Sequence, residues 1–424
     1  MQNKSLKILY AVQATGNGHI SRASEVVQYL TEYGDVDILL SGSNSHLDVN
    51  LPVKYRYGGI SLFYKHGGGL DYWKIVKQIN PIQLLRDVLT IPVQEYDLIL
   101  NDFDALTSLA CRIRKVKSVH WGHQASFQYS KSPRPSKIDK FGEWILKNYC
   151  RASVHIGLHF LPYEDGILPP VIKETIRTTE PKELGHLTIY LPQFKLKELI
   201  SNLSSLNFVK IHIFTSEVKD PQIHQHIFAF PISKELFSDS MATCSGLITA
   251  GGFESPAEAL LLNKRMIILP ISGQYEQQCN AAALEKMGVP ILHELTVHTG
   301  QIICKYFNLL PGSSASQHLN AINPFSNPFT VLENKSRKSL KKKPNWIEDL
   351  TKKSEIKANA LNRSELGNYY KLVSNREIVD KTMTIALDYL NQPDSKLLKK
   401  SWRFKILRYL RLRPLSDLQI PVSQ

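Results

Sequence analysis

Twice in this chain a short run of β-favouring apolar residues stops at glycine and passes straight into a helical pattern. The first is Lys7–Ala14 (KILYAVQA), then Thr15-Gly16-Asn17-Gly18-His19, then a helical stretch from Ile20 to Leu30. The second is Leu247–Thr249, then Ala250-Gly251-Gly252-Phe253-Glu254-Ser255-Pro256 and a helix continuing through Leu260. Strand, tight turn and helix open a doubly wound α/β unit. Two copies far apart predict two such units. Further strands are expected at Val36–Leu40, at Tyr96–Leu100 running into Asn101-Asp102, and at Ser118–His120 running into Trp121-Gly122-His123-Gln124. A helical pattern spans Tyr72–Thr90. The second half repeats the alternation with strands at His186–Leu191, Val209–Phe214, Ile227–Phe230 and Met266–Leu269. Pro162, Pro169 and Pro170 interrupt the pattern between the halves and mark a linker. The expected domains are 1–165 and 183–330, followed by a basic linker and helical tail over 331–424.

Charge separates the tail from the body. The 424 residues carry a formal charge of +14, yet residues 331–424 alone hold 21 Lys/Arg against 10 Asp/Glu. Nucleic-acid enzymes more often spread basic charge over the core, so no nucleic-acid partner is expected. A basic appendage on a near-neutral body suits an anionic membrane surface. Lys396–Arg413 has eight basic residues and no acidic one, and Leu398, Trp402, Ile406, Tyr409 and Leu410 share a helical stripe. That is the composition of an interfacial helix; a helix packed on the protein's own surface fits as well. No stretch of 18 apolar residues offers a membrane span, and the N-terminus lacks the apolar run of a secretory signal. The five cysteines are scattered without CxxC spacing and read as reduced thiols, not a zinc site. The expected location is cytoplasmic, peripheral on the inner face of the cell membrane.

Chemistry concentrates at the two glycine turns. Gly16 and Gly18 let backbone approach a ligand closely at a helix start that favours anions. His19, just inside, suits a general base; the plainer reading is a helix cap. Asp102 ends a strand, where open α/β sheets bind ligands, and could orient His19 as a His-Asp pair does. Asp104 competes for that role, and an N-cap explains either aspartate equally well. In the second block, free N–H groups after Gly251-Gly252 can hold a diphosphate. Glu258, one turn in, can accept from both ribose hydroxyls. Glu276 and Gln277 suit sugar hydroxyls. His120 and His123 flank Trp121-Gly122. His155 and His159, four apart, would share a helical face but lack HExxH spacing.

Here the residues meet a family. Gly252 precedes Glu258 by six positions, and Glu276-Gln277 precedes Asn280-Ala281. This resembles the donor-binding signature of GT-B nucleotide-sugar glycosyltransferases, which include the UDP-glycosyltransferases and the transferase that completes lipid II. The opening Gly16-x-Gly18-His19-x-x-Arg22, with Asn101-Asp102-Phe103, His123-Gln124 and Gly273-Gln274-Tyr275-Glu276-Gln277, looks like a prokaryotic branch related to the lipid II enzyme. The resemblance covers residues 5–295. Two departures stand out: Asn263-Lys264-Arg265 replaces a glycine-proline, and Ser255 replaces a threonine. The resemblance implies two Rossmann-like domains facing across a cleft, the first binding the acceptor and the second a UDP-linked sugar. It implies inverting, metal-independent transfer to a hydroxyl, with no cofactor beyond the nucleotide-sugar substrate, and a glycan or lipid-linked acceptor. His19 would be the base and Asp102 its partner. The donor would meet Gly18, Gly251, Gly252, Phe253, Ser255, Glu258, Glu276, Gln277 and Asn280; Arg22, His123 and Gln124 would lie on the acceptor side. A nucleotide-sugar hydrolase of the same fold, or a non-catalytic sugar-nucleotide-binding protein, accommodates the same residues.

Overall fold

The computed structural model describes residues 5–43, 51–60, 80–296, 299–309 and 363–391. The glycine run 67–69, the basic stretch 334–343 and the amphipathic pattern 395–413 lie outside the described residues. In the first half, β1 (Leu6–Gln13) passes through the glycine turn into α1 (Asn17–Leu30), then β2 (Gly34–Ser41) and β3 (Val53–Tyr57). There follow α2 (Pro81–Thr90), β4 (Leu98–Asp102), α3 (Ala105–Arg114), β5 (Val119–Gly122), α4 (Lys140–Asn148), β6 (Val154–Leu158) and the two-residue β7 (Ile167–Leu168). The strands form one parallel sheet in the order β3-β2-β1-β4-β5-β6-β7. Both faces of β1 are covered: Ile8, Tyr10 and Val12 join one buried cluster, Leu9 and Ala11 another. Burial on both sides is why a parallel strand reads as an unbroken apolar run.

A linker carrying the short helix α5 (Glu174–Arg177) leads to the second half. There β8 (His186–Tyr190), α6 (Leu196–Leu203), β9 (Lys210–Thr215), β10 (Gln222–His224) and β11 (Ile227–Pro231) precede α7 (Lys234–Thr243). Then come β12 (Gly246–Thr249), α8 (Glu254–Leu261), β13 (Met266–Ile268), α9 (Tyr275–Glu285) and α10 (Thr299–Phe307). The sheet order is β10-β11-β9-β8-β12-β13, with only β10 antiparallel. The chain therefore has two Rossmann-like doubly wound units. In each, strand order reverses beside a glycine turn: at β1/β4 in the first and at β8/β12 in the second, the crevices where such sheets take ligands.

The last described segment returns to the body. Helix α11 (Arg363–Leu372) lies along α8, so closely that a β-carbon on Gly367 would sit 2.8 Å from the Leu260 carbonyl. Helix α12 (Asn375–Leu390), opened by a Ser374–Glu377 capping box, crosses onto α1. The Asn375 side chain accepts from Ile172 N–H (3.1 Å) and donates to Ile172 C=O (2.7 Å), and Tyr33 donates to Asp380 (2.6 Å). One buried apolar cluster consequently runs from Val12 and Val26 through Leu260 to Tyr370, Ile378 and Met383. Among the described residues, no helix is long and apolar enough to cross a membrane.

Candidate active site

The turn after β4 decides which aspartate faces the cleft. Asn101 clamps it, accepting from Asp104 N–H (2.7 Å) and donating to Asp104 C=O (2.9 Å). Asp104 then caps α3, its Oδ2 accepting from Thr107 N–H at 2.7 Å. Phe103 is held at φ +58°, a left-handed conformation that L-residues adopt at a penalty. Asp102 is left pointing toward the β1 turn. Because β4 pairs with β1 in register Val12↔Asp102, the start of α1 lies directly opposite.

Asp102 is fully buried and meets three side chains: Tyr10 O–H donates to Oδ2 at 3.3 Å, His19 Nδ1 lies 2.8 Å from Oδ1, and Arg22 donates from Nη2 to Oδ1 (2.8 Å) and from Nε to Oδ2 (2.9 Å). Burial alone would raise its pKa; the adjacent Arg22 and His19 outweigh that and hold the carboxyl well below the usual carboxylate range. His19 Nδ1 also lies 3.0 Å from Arg22 Nη2; in the tautomer with its proton on Nδ1, His19 donates to the ionised Asp102 and leaves Nε2 as the outward nitrogen. Gln124 Nε2 lies 3.5 Å from that atom and donates to both carboxylate oxygens of Glu276 at 3.1 and 3.2 Å. A β-carbon on Gly122 (φ +152°) would come within 2.6 Å of Asp102 Oδ1, so the pair needs glycine there.

The second half supplies the opposite wall. Helix α8 begins at Glu254 with no side-chain cap from Phe253. A β-carbon on Gly252 would meet nothing within 4 Å, whereas one on Gly251 would strike the Gln277 carbonyl at 2.6 Å. The turn thus offers open backbone at Gly252 beside uncapped N–H groups, and Ser255 is half-buried at the helix start. Glu254 reaches into the cleft: its Oε1 lies 3.4 Å from Arg22 Nη1 and its carboxylate packs on Gly18. Glu258 is buried, 3.0 Å from Lys173 Nζ of the linker. Burial raises the pKa of both carboxyls, with Arg22 and Lys173 opposing it; Glu254 is pushed up to about 7. Ser21, Arg22, Glu25, Lys173, Glu254 and Glu258 surround a small pocket between the two halves, with about 10 Å³ of free space.

Several expected site residues make contacts within the protein. Phe253 is buried and stacks on His123 across the domain boundary, with ring centroids 3.8 Å apart and planes 6° apart. Asn280 is buried too, donating to Gly251 C=O (3.0 Å) while its Oδ1 lies 2.8 Å from His123 Nε2. Gln277 spends its Oε1 on Gly251 N–H and Ile271 N–H, at 3.2 and 3.0 Å. Arg22 and His123 are buried in the domain contact, so neither presents an open surface to an acceptor. His19, Asp102, Gln124, Glu276, Gly18, Gly252, Ser255 and Glu258 do converge around the cleft. His155 lies on β6, not on a helix, with its Nδ1 3.3 Å from that of His120; burial pushes both imidazoles down, His155 to about 4. Among the described residues no cluster of metal-ligating side chains occurs. Three positions that the structure places at the cleft were not singled out by sequence reasoning. Glu254 sat inside the glycine block without a role of its own. Lys173 had no local signal, and Gly122 shows its role only once β4 and β5 are paired.

A His-Asp pair at one topological switch point faces an open glycine turn at another, across the cleft between two Rossmann-like domains. The family model described as glycosyl transferase family 1 matches residues 6–311, and the chain belongs to that family: it is a glycosyltransferase. No curated protein sequence matches it. Among solved structures it is similar to the spinosyn forosaminyltransferase SpnP, with 11% identity over 91% of this chain and 100% of that one, at a TM-score of 0.49. It is also similar to Phytolacca americana UGT2 in complex with UDP-2-fluoro-glucose and pterostilbene (11% identity, 75% and 93% covered, TM-score 0.48). A third is Acinetobacter baumannii MurG (15% identity, 74% and 95% covered, TM-score 0.42).

Proposed function

We propose that the protein transfers a sugar from a UDP-linked donor to an acceptor hydroxyl, with inversion and without a metal. The observation that carries this reading is the facing of the two crevices. His19, backed by Asp102, stands across the cleft from the open Gly252 turn and the start of α8. In the proposed reaction, the acceptor oxygen attacks the anomeric carbon while its proton passes to His19 Nε2. The bond from that carbon to the diphosphate breaks on the opposite side, and the electron pair leaves with the diphosphate. Helix dipole and N–H groups at Gly252–Ser255 stabilise the developing charge. Glu258 takes the ribose once Lys173 moves aside, and Glu276 reads the sugar.

Ligand sites usually enclose about 300–1,000 Å³, whereas the pocket between the halves holds about 10 Å³ of free space, so in this reading the halves part before a donor enters. Closure over the bound donor would then exclude water. The basic pattern 395–413 is proposed to hold the enzyme on an anionic membrane face, where a lipid-linked acceptor would be presented.

The test is His19→Ala. Turnover should fall by about 10²–10⁴-fold, the usual contribution of a general base, while calorimetry finds UDP bound as in the wild type. Near-normal turnover would remove His19 from the mechanism. Release of free sugar at full rate in buffer, with no acceptor, would assign water as the acceptor.

A further inference from the structure

Among the described residues, the pocket at Glu254 holds more negative than positive side chains, drawn from several elements. From α1 come His19, Arg22 and Glu25; from the end of β4, Asp102; from the linker, Lys173; from its own helix, Glu258. Two permanent cations, Arg22 and Lys173, therefore face the carboxylates of Asp102, Glu25, Glu254 and Glu258. The cations are also committed. Arg22 gives its short bonds to Asp102, at 2.8 and 2.9 Å, and reaches Glu254 only at 3.4 Å. Lys173 sits 3.0 Å from Glu258. Glu254 itself occupies the first position of α8, immediately after the open Gly252 turn, and only 23% of its side chain is exposed. A diphosphate at that turn would add two negative charges beside a carboxylate whose ion pair is the longer, 3.4 Å contact to an Arg22 already bound to Asp102.

We propose that Glu254 takes up a proton as the diphosphate of the donor enters, so that nucleotide binding and protonation of this side chain are one coupled step. The proposal rests on the donor site described above and adds a residue to it. A neutral Glu254 removes the repulsion and presents an O–H that can donate to a diphosphate oxygen. It also frees Arg22 Nη1 to do the same. The carboxyl's position near 7 places this exchange in the neutral range. The sign follows: proton uptake on binding makes donor affinity fall as pH rises.

The experiment is calorimetric titration of the full chain with UDP at pH 6 and pH 8, in buffers of different ionisation enthalpy, for the wild type and Glu254→Gln. At pH 8 the wild type should take up most of one proton more than Glu254→Gln. It should also bind UDP about tenfold more weakly than that variant, since a group titrating near 7 is about nine-tenths ionised there. At pH 6 the two should agree within about twofold. UDP's own phosphate titrates identically in both arms. Equal proton uptake and an equal pH profile in the two proteins would overturn the proposal while leaving the donor site intact. So would wild-type uptake no greater than UDP's phosphate explains, a result that needs no variant to fold. Absence of UDP binding to the wild type at either pH would instead overturn the donor reading beneath it.

Discussion

At the scale of single residues, the site is a problem in buried charge. Arg22 has a side chain only 4% exposed, and the carboxylate that balances it best is Asp102. Removing one partner of such a pair leaves the other desolvated and uncompensated, which typically costs about 3–5 kcal/mol. Asp102→Asn keeps the shape and removes the charge. Its urea midpoint should drop by an amount corresponding to about 3 kcal/mol, and turnover should fall with it because His19 loses its acceptor. The pH dependence has a definite sign. Asp102 titrates below its unfolded-state value of about 3.9, so its stabilisation is present in full above that value and fades as acidity passes it. The gap between variant and wild type should therefore stay constant from neutral pH down to about 5 and narrow only below about 4. A gap of the same size at pH 3 would show that the loss is steric. His19 and Asp102 were legible in the sequence because both follow strands at glycine-rich or polar turns. The sequence favoured Asp102 over Asp104 but held no reason for it, because the aspartates' placement depends on Asn101 clamping Asp104 into a cap. Phe253 and Asn280 carried the right residue types for a donor site, yet their neighbours come from the other domain, 130 and 157 residues away at His123.

At the scale of elements, the long apolar strands and the two glycine-to-helix turns announced themselves. The short strands β3, β7 and β10 did not, since two to five residues at a sheet edge bury too little to imprint a pattern. Strand β6 escaped because His155 and Gly157 break its apolar run. The contact between α4 and α9 is another feature no local pattern encodes. Gly142 in α4 lies against Tyr275 at the start of α9, where a β-carbon would sit 2.5 Å from Tyr275 Cβ, and Tyr275 O–H donates to Glu143 at 3.0 Å. Gly142→Ala favours the helix by about 1 kcal/mol in isolation but cannot fit with the halves closed. The variant should remain folded and hold the halves apart. Its radius of gyration in small-angle scattering should exceed the wild type's, and its turnover should fall. Unchanged scattering and turnover would show that this contact is dispensable.

At the scale of the whole molecule, the two α/β units are bridged by the segment that comes last. Sequence reading placed 331–424 outside the domains as a basic tail, and the described part of it, 363–391, instead covers both of them. Charge drew attention to the lysines and arginines; the apolar faces of α11 and α12, spaced among them, were the quieter signal. The basic pattern at 395–413 keeps its own prediction. A chain lacking 395–424 should no longer sediment with phosphatidylglycerol vesicles, while the full chain sediments at low salt and is released by high salt. Equal sedimentation of the two would reject the membrane role. The return of α12 onto α1 also has a consequence for biosynthesis. Domains generally fold in order of emergence from the ribosome, but here the outer face of the first helix waits for Ile378, Val379 and Met383 before it is sealed. Throughout synthesis of the second half, the first presents that sticky strip to whatever else is nascent, which makes chaperone dependence a property of the wiring and not of any one residue.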